Sequence, residues 1–168
     1  MDKTKVIPID HGNRNIKTIN FTFPASYVES KHLPSIGGDI LIRQDKEYVF
    51  VDMRMPQQND KTIDESYFNL TLAAIGKELA NDMNTLQCSS SGKCLDIVIL
   101  AGLPPLHYKT MASRYLNYYK GSGEQIDFVF NNISFSIRIK DVYMYPQAFA
   151  AALTVRDKVK NLSSIYEE

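Results

Sequence analysis

A carboxylate, a tight polar turn and a lysine follow one another near the start of the chain, in residues 10–17. The apolar residues before them predict a buried strand that ends at Asp10, and Lys17 lies on the strand that returns. Glycine and asparagine in the turn tolerate a positive φ and favour a hairpin. The N–H groups of such a turn can bind an anion, and a carboxylate can hold a metal ion directly or through water. The spacing predicts a site for the phosphates of a magnesium-bound nucleotide, although the same pattern also occurs in hairpin turns that bind nothing.

The charges of the chain balance, because its 168 residues include 19 lysines and arginines and 19 aspartates and glutamates. A neutral chain has no broad basic face, so we expect no direct contact with nucleic acid. No apolar run is long enough to cross a membrane, and the first residues lack the apolar segment of a signal peptide. We therefore expect a cytoplasmic protein without membrane contact, long enough to form one domain with its own core.

Apolar alternation and turn-forming residues predict several strands in the first third of the chain. After the strand that ends at Asp10, a second strand is predicted over residues 15–23. A polar stretch follows, and then a hairpin whose strands are residues 39–43 and 47–53.

The rest of the chain alternates between helical and strand patterns. Thr62 and Glu65 have the spacing of a capping box, which predicts the start of a helix there. The continuous apolar run of residues 95–101 predicts a central strand covered on both faces. The later predicted elements are a helix over residues 106–120, a hairpin of residues 126–130 and 133–139, a strand over residues 141–145 and a helix that begins at Pro146. This order predicts an α/β fold, a mixed sheet with flanking helices.

Three stretches, in this order along the chain, resemble motifs of the plasmid-segregation actins of the ParM/StbA-like group. The first, residues 9–17, resembles the first phosphate motif of that group. The second resembles the end of a strand and the turn after it in that group; it is Leu-Ala-Gly-Leu-Pro from residue 100, followed by His-Tyr from residue 107. The third is Phe-Ser-Ile-Arg-Ile-Lys-Asp-Val from residue 135, followed by Tyr-Pro-Gln from residue 145. The resemblance spans nearly the whole chain.

The resemblance implies the actin-like ATPase fold, in which two domains of ribonuclease-H-like topology hold ATP and magnesium between them. Residues 1–168 resemble the N-terminal domain only, because the second phosphate motif, Asp-x-Gly-x-Thr, does not occur in the sequence. The resemblance also implies a small β insert at about residues 34–62 that contacts neighbouring protomers in a filament.

The resemblance implies a role for each matching residue. Asp10 would organise the magnesium ion, through water, and Lys17 would lie beside the phosphates. Gln147 would orient the water that attacks the terminal phosphate. The turn whose N–H groups would bind the phosphates is Gly12, Asn13, Arg14 and Asn15. His11 departs from the small or acidic residue that the family has there, and we expect its side chain to point to solvent.

The resemblance implies that residues 1–168 carry only half of a nucleotide site. We expect ATP, or GTP, and magnesium to bind only when the second domain is present, so the isolated chain would be inactive. The full-length parent would be an ATPase that assembles into filaments and binds a DNA-bound adaptor protein. Two alternatives stay open: a domain of a sugar-kinase-like phosphotransferase of the same superfamily, or a non-catalytic interaction module.

Overall fold

The computed structural model describes residues 4–30, 38–53, 60–82 and 93–147. Within these ranges the chain forms nine strands and two helices. In chain order they are β1 (Lys5–His11), β2 (Asn15–Lys17), β3 (Thr22–Pro24), β4 (Tyr27–Ser30), β5 (Ile40–Arg43), β6 (Lys46–Phe50), α1 (Ser66–Ala80), β7 (Leu95–Leu103), α2 (Pro105–Lys120), β8 (Gln125–Phe130) and β9 (Ile133–Pro146).

The nine described strands join one mixed sheet, in the order β3-β2-β1-β7-β9-β8-β5-β6-β4. β1, β7 and β9 are adjacent and run parallel, whereas the other neighbouring pairs are antiparallel. Parallel neighbours need a crossover connection, and α1 and α2 lie in the two connections that join β1 to β7 and β7 to β9. This arrangement confirms the predicted α/β mixed sheet with flanking helices.

Buried positions alternate along β1 and β7, as expected for strands that pack one face on a core. Ile7 pairs with Ile99 and Ile9 pairs with Ala101, so these apolar side chains share the buried face.

β9 keeps its apolar residues on the same face by means of a β-bulge. Ile97 of β7 pairs with Ile139, but the next residue of β7 pairs with Asp141, so Lys140 is the extra residue. The buried positions change from odd to even numbers at this point. The two strands predicted on either side of residue 140 are therefore one strand.

The prediction of a single strand over residues 15–23 is wrong, because this segment forms the hairpin of β2 and β3. Its turn is closed by the Thr18 N–H, which donates to the Phe21 carbonyl at 2.8 Å. The Phe21 N–H donates in turn to the Thr18 hydroxyl at 3.1 Å. Glu78 of α1 accepts two hydrogen bonds from Asn20 in the same turn. No glycine or proline marks this turn in the sequence, and tertiary contact with α1 supports it.

Two other predicted hairpins are confirmed. Gln44 and Asp45 between β5 and β6 have φ of 51° and 60°, and Asn131 and Asn132 between β8 and β9 have φ of 47° and 65°. Positive φ at both central residues is what a two-residue turn between twisted strands requires. The described part of the predicted insert is hydrogen-bonded into the main sheet, through pairing of β5 with β8. The division of the chain at residues 34–62 stays a prediction.

The predicted capping box is wrong, because α1 begins at Ser66 and Glu65 makes no side-chain cap. Thr62 instead bonds to Asp60, whose carboxylate accepts both its N–H and its hydroxyl. The first free N–H of the helix, that of Ser66, donates to the Asp64 carboxylate at 2.8 Å. Short polar side chains compete for backbone donors in this way, and here they delay the helix by one turn. Its predicted apolar residues Phe68, Leu72, Ile75 and Leu79 are buried, and Met83 lies outside the described residues.

Both helices pack on the same face of the sheet. The His11 side chain, on the buried face of β1, contacts Thr71 of α1 and Tyr119 of α2. On the other face, Tyr143 and Tyr145 of β9 are about half exposed. β7 is therefore central, but only one of its faces is fully buried in the part of the chain that the structure describes. The predicted final helix lies outside that part, apart from its first two residues.

Gly76 allows α1 to lie close to β8, since a Cβ at this position would come within 2.8 Å of Phe130. Alanine normally stabilises a helix by about 1 kcal/mol relative to glycine. We expect Gly76→Ala to lower the free energy of unfolding by about 1–3 kcal/mol instead, because the added methyl overpacks this contact. Urea denaturation followed by circular dichroism measures the change, and a gain in stability would contradict the close packing.

Candidate functional site

The predicted phosphate turn is the hairpin that joins β1 to β2, with Asp10 paired to Lys17 and His11 paired to Ile16. A Cβ added to Gly12 would lie 2.5 Å from the Asn15 carbonyl oxygen, so the turn has no room for a side chain there. The positive φ angles in the described ranges lie elsewhere, in contrast to the conformation that we expected for this turn. Close backbone approach, rather than φ, is the reason for a glycine at this position.

Side chains of three predicted site residues meet at the carboxyl ends of the parallel strands. The Lys17 ammonium lies 3.9 Å from one oxygen of the Asp10 carboxylate. The Gln147 amide donates to the other carboxylate oxygen at 3.3 Å, across 137 residues of sequence. The same amide lies 3.5 Å from the carbonyl oxygen of Gly102 at the end of β7. A carboxylate, an ammonium and a carboxamide are thus placed together at one sheet edge.

Pro146 is the last residue of β9 and not the first of a helix, which corrects the predicted element boundary. Gln147 follows Pro146 in a turn, and the backbone N–H of Gln147 donates to the Leu103 carbonyl. The pairing of β9 with β7 therefore continues to Pro146, the residue before Gln147. This pairing positions the Gln147 side chain beside Asp10 and Gly102.

An open groove of about 510 Å³ runs from this edge along the face of the sheet opposite α1 and α2, where the described residues of β7 are half-buried. Its lining is mostly apolar, and Asp10 and Lys17 supply its charges. The lining residues are Pro8, Ile9, Asp10, Lys17, Thr18, Ile19, Leu100, Ala101, Gly102 and Tyr145. A groove of this size, with charges at one end and apolar walls, suits a ligand that is both charged and partly apolar.

The remaining turn residues are held from two sides. The Tyr67 hydroxyl of α1 donates to the Asn13 side chain at 3.4 Å. The Ala25 N–H donates to the Arg14 carbonyl at 2.9 Å. The Asn13 and Arg14 side chains are exposed and Asn15 is half-buried. The predicted turn residues thus lie together at the mouth of the site, and their part in binding phosphate stays a prediction.

The prediction that His11 points to solvent is wrong, because its side chain is only 3% exposed. Its Nε2 atom lies 2.8 Å from the Thr71 hydroxyl. That hydroxyl donates its one proton to the Tyr67 carbonyl at 2.7 Å, so it accepts from the histidine. The ring therefore carries its proton on Nε2, and it stacks on Tyr119 at 4.6 Å.

Burial, together with the positive charge of Lys61, lowers the pKa of His11 from 6.5 to about 3. The imidazole is therefore neutral at physiological pH. A neutral histidine bound to Thr71 ties the start of the phosphate turn to α1.

Lys61 also lies beside the candidate site, and sequence reasoning missed it. Its ammonium donates to the His11 carbonyl, at the point where β1 enters the turn. Burial lowers the pKa of Lys61 to about 8, while the Asp10 carboxylate acts in the opposite direction. The lysine stands in a polar stretch with no periodicity, and no local signal distinguishes it from an exposed residue.

No helix in the described ranges is long and apolar enough to cross a membrane. Those ranges also contain no group of three or more His, Cys, Asp or Glu residues that could hold a metal ion. Magnesium usually binds through one or two carboxylates and takes its other ligands from water and phosphate. Asp10 fits that kind of site, and it does not fit a site made of protein ligands alone.

No model of a protein family matches the chain, and neither does any curated protein. Solved structures do match it. The structure of psk41 ParM has a TM-score of 0.65 at 16% identity, over 86% of this chain and 50% of that chain. A ParM filament from Clostridium botulinum has a TM-score of 0.63 at 21% identity, over 89% and 50%. The ADP complex of Ta0583, an archaeal actin homolog, has a TM-score of 0.65 at 15% identity, over 92% and 47%.

The chain has an actin-like fold. This finding confirms the fold class that the ParM-like motifs implied, the ribonuclease-H-like fold of actin-like ATPase domains. At these identities the likeness concerns the fold alone. The chain spans about half the length of the solved structures that it matches.

The buried neutral state of His11 predicts a pH dependence of stability. The unfolded chain binds a proton below pH 6.5 and the folded chain only near pH 3, so stability is complete above pH 6.5 and falls as the pH is lowered. We expect a loss of roughly 2 kcal/mol at pH 5. Chemical denaturation at several pH values measures this loss.

His11→Phe keeps an aromatic ring against Tyr119 and should remove this part of the pH dependence. His107→Gln, on α2, is the matched control and should keep it. A pH profile that depended on His107 and not on His11 would contradict the assignment.

Proposed function

We propose that this chain is the N-terminal half of a bacterial actin-like ATPase that forms filaments and segregates plasmid or similar DNA. The observation that carries the proposal is the meeting of Asp10, Lys17 and Gln147 at one sheet edge of an actin-like fold. These are the residues to which the motif resemblance gave roles in phosphate binding and water activation.

In this proposal the chain supplies one wall of a site for ATP, or GTP, and magnesium. Asp10 organises the magnesium ion through water, and the half-exposed carboxylate leaves room for that water. The N–H groups of residues 12–15 and the Lys17 ammonium hold the phosphates. The bound cation would neutralise charge on the phosphates during their transfer.

Gln147 would orient the attacking water. An amide can accept a hydrogen bond from water and donate another, so it can align the oxygen with the phosphorus atom. Its contacts with Asp10 and Gly102 support this role, because they hold the amide at the end of the parallel strands.

Filament formation is proposed for the full-length protein, from the likeness to a ParM filament and to psk41 ParM. The balanced charge of the chain favours indirect contact with DNA, through a DNA-bound adaptor protein, in a cytoplasmic setting. An in-frame Asp-x-Gly-x-Thr motif in the DNA downstream of codon 168 would support a two-domain parent.

The isolated chain should bind Mg-ATP weakly and hydrolyse none measurably, because one wall leaves the phosphates and the base open to water. We expect calorimetry to give a dissociation constant of about 1 mM or weaker, which corresponds to a binding free energy of about −4 kcal/mol or less negative. A micromolar constant for this chain alone would show that its own residues form a complete site.

In the full-length protein, Gln147→Ala should slow ATP hydrolysis by about 100-fold or more, because alignment of the attacking water is lost. Assembly with ATP, seen by electron microscopy, should persist, since the phosphate turn is unchanged. The matched control is Gln125→Ala, on the exposed start of β8, which should hydrolyse at the normal rate. Transfer of phosphate to a sugar without filaments would instead favour the sugar-kinase-like alternative.

A further inference from the structure

Lys61 places a second ammonium group beside the phosphate turn. Its side chain is half-buried, and its Nζ atom donates to the His11 carbonyl, next to Asp10. The ammonium also lies 4.8 Å from the centre of the Tyr67 ring, whose hydroxyl contacts Asn13 of the turn. The lysine therefore contacts the residue just before the turn and, through Tyr67, a residue near its middle.

The ammonium of Lys61 has no carboxylate partner among the ion pairs of the described ranges. Lys77, whose side chain is more deeply buried, has such a partner: its ammonium lies 2.5 Å from the Asp39 carboxylate. Asp10 acts on the Lys61 charge only from beyond ion-pair distance, and a half-buried charge without a close counter-ion costs free energy. The lowered pKa of Lys61 reflects this cost. An anion bound at the turn would remove it.

Contacts with α2 fix the main chain around Lys61. Its N–H donates to the Tyr115 hydroxyl at 3.0 Å. The preceding residue, Asp60, forms an ion pair with Arg114 at 2.8 Å. The lysine is thus presented to the turn by a helix of the core, so little conformational entropy is lost when it meets a ligand.

We propose that Lys61 is a second lysine of the phosphate site, which contacts an anion held by the turn. This proposal rests on the proposed function, since it assigns a further binding residue to the same site. Its ligand class is the terminal phosphates of a nucleotide, or an inorganic polyphosphate with the same groups.

The test uses magnesium tripolyphosphate as the probe and the 168-residue chain as the protein. Titration followed by the backbone NMR signals of residues 12–15 gives the affinity. We expect Lys61→Met to weaken binding roughly tenfold, as for loss of a hydrogen bond to a charged group, and Lys61→Arg to restore most of it. Lys17→Met should also weaken binding. Lys46→Met, on β6 and five strands away from β1, removes the same charge and should leave binding unchanged.

The outcomes separate this proposal from the proposed function. Loss with Lys61→Met, rescue by arginine and no effect at Lys46 would support it. If Lys17→Met weakens binding and Lys61→Met does not, the second lysine is overturned while the phosphate site stands. If neither Lys17→Met nor Lys61→Met weakens binding, both the second lysine and the phosphate site are overturned.

A direct readout covers the case in which Lys61→Met fails to fold, which thermal unfolding would show. In the wild-type chain the Nζ signal of Lys61 should shift during the titration. A constant Nζ signal, with the signals of residues 12–15 moving, would overturn the proposal.

Discussion

Parallel pairing of β1, β7 and β9 is the constraint on which the candidate site depends. The carboxyl ends of parallel strands lie at the same edge of the sheet. Asp10, near the end of β1, and Gln147, just after β9, therefore lie in contact although they are far apart in sequence. The register continues to the last residues of β7 and β9, where Leu103 pairs with Pro146. A slip by one residue would turn the buried side chains to the other face, so the core that stabilises the sheet also fixes the site.

The turn itself is held from beneath by side chains of the two helices. His11 bonds to Thr71 and stacks on Tyr119, and Lys61 reaches the His11 carbonyl from the segment before α1. Buried polar groups are costly unless they are hydrogen-bonded, and the bond to Thr71 meets this condition for His11. The lowered pKa keeps the ring neutral, so no charge is buried there.

Local signals explain which parts of the fold and site were predictable. A few neighbouring residues are enough to predict each of three features: the strand before Asp10, the Asn131–Asn132 turn and the Asp10–Lys17 spacing. The Thr18 turn and the bulge at Lys140 carry no glycine or proline, and each depends on a neighbouring element for its support.

Other site features depend on residues far away in sequence. His11 was misread because its partner, Thr71, is 60 residues away. Lys61 was missed because α2 positions it. Gln147 was found only through the motif resemblance, since nothing in its own neighbourhood marks it as a site residue.

Solvent exposure decides how strongly each charge of the site can act. The side chains of Asp10 and Lys17 are 49% and 57% exposed, and at 3.9 Å in water-like surroundings such a pair contributes about 1 kcal/mol or less. A second wall that excluded water would lower the local dielectric and strengthen both charges without moving them. Lys61 already lies in a less polar environment, because Tyr67 and α2 shield it. Among the described residues it is therefore the half-buried lysine, and not the exposed one, whose charge should act most strongly on an anion in the turn.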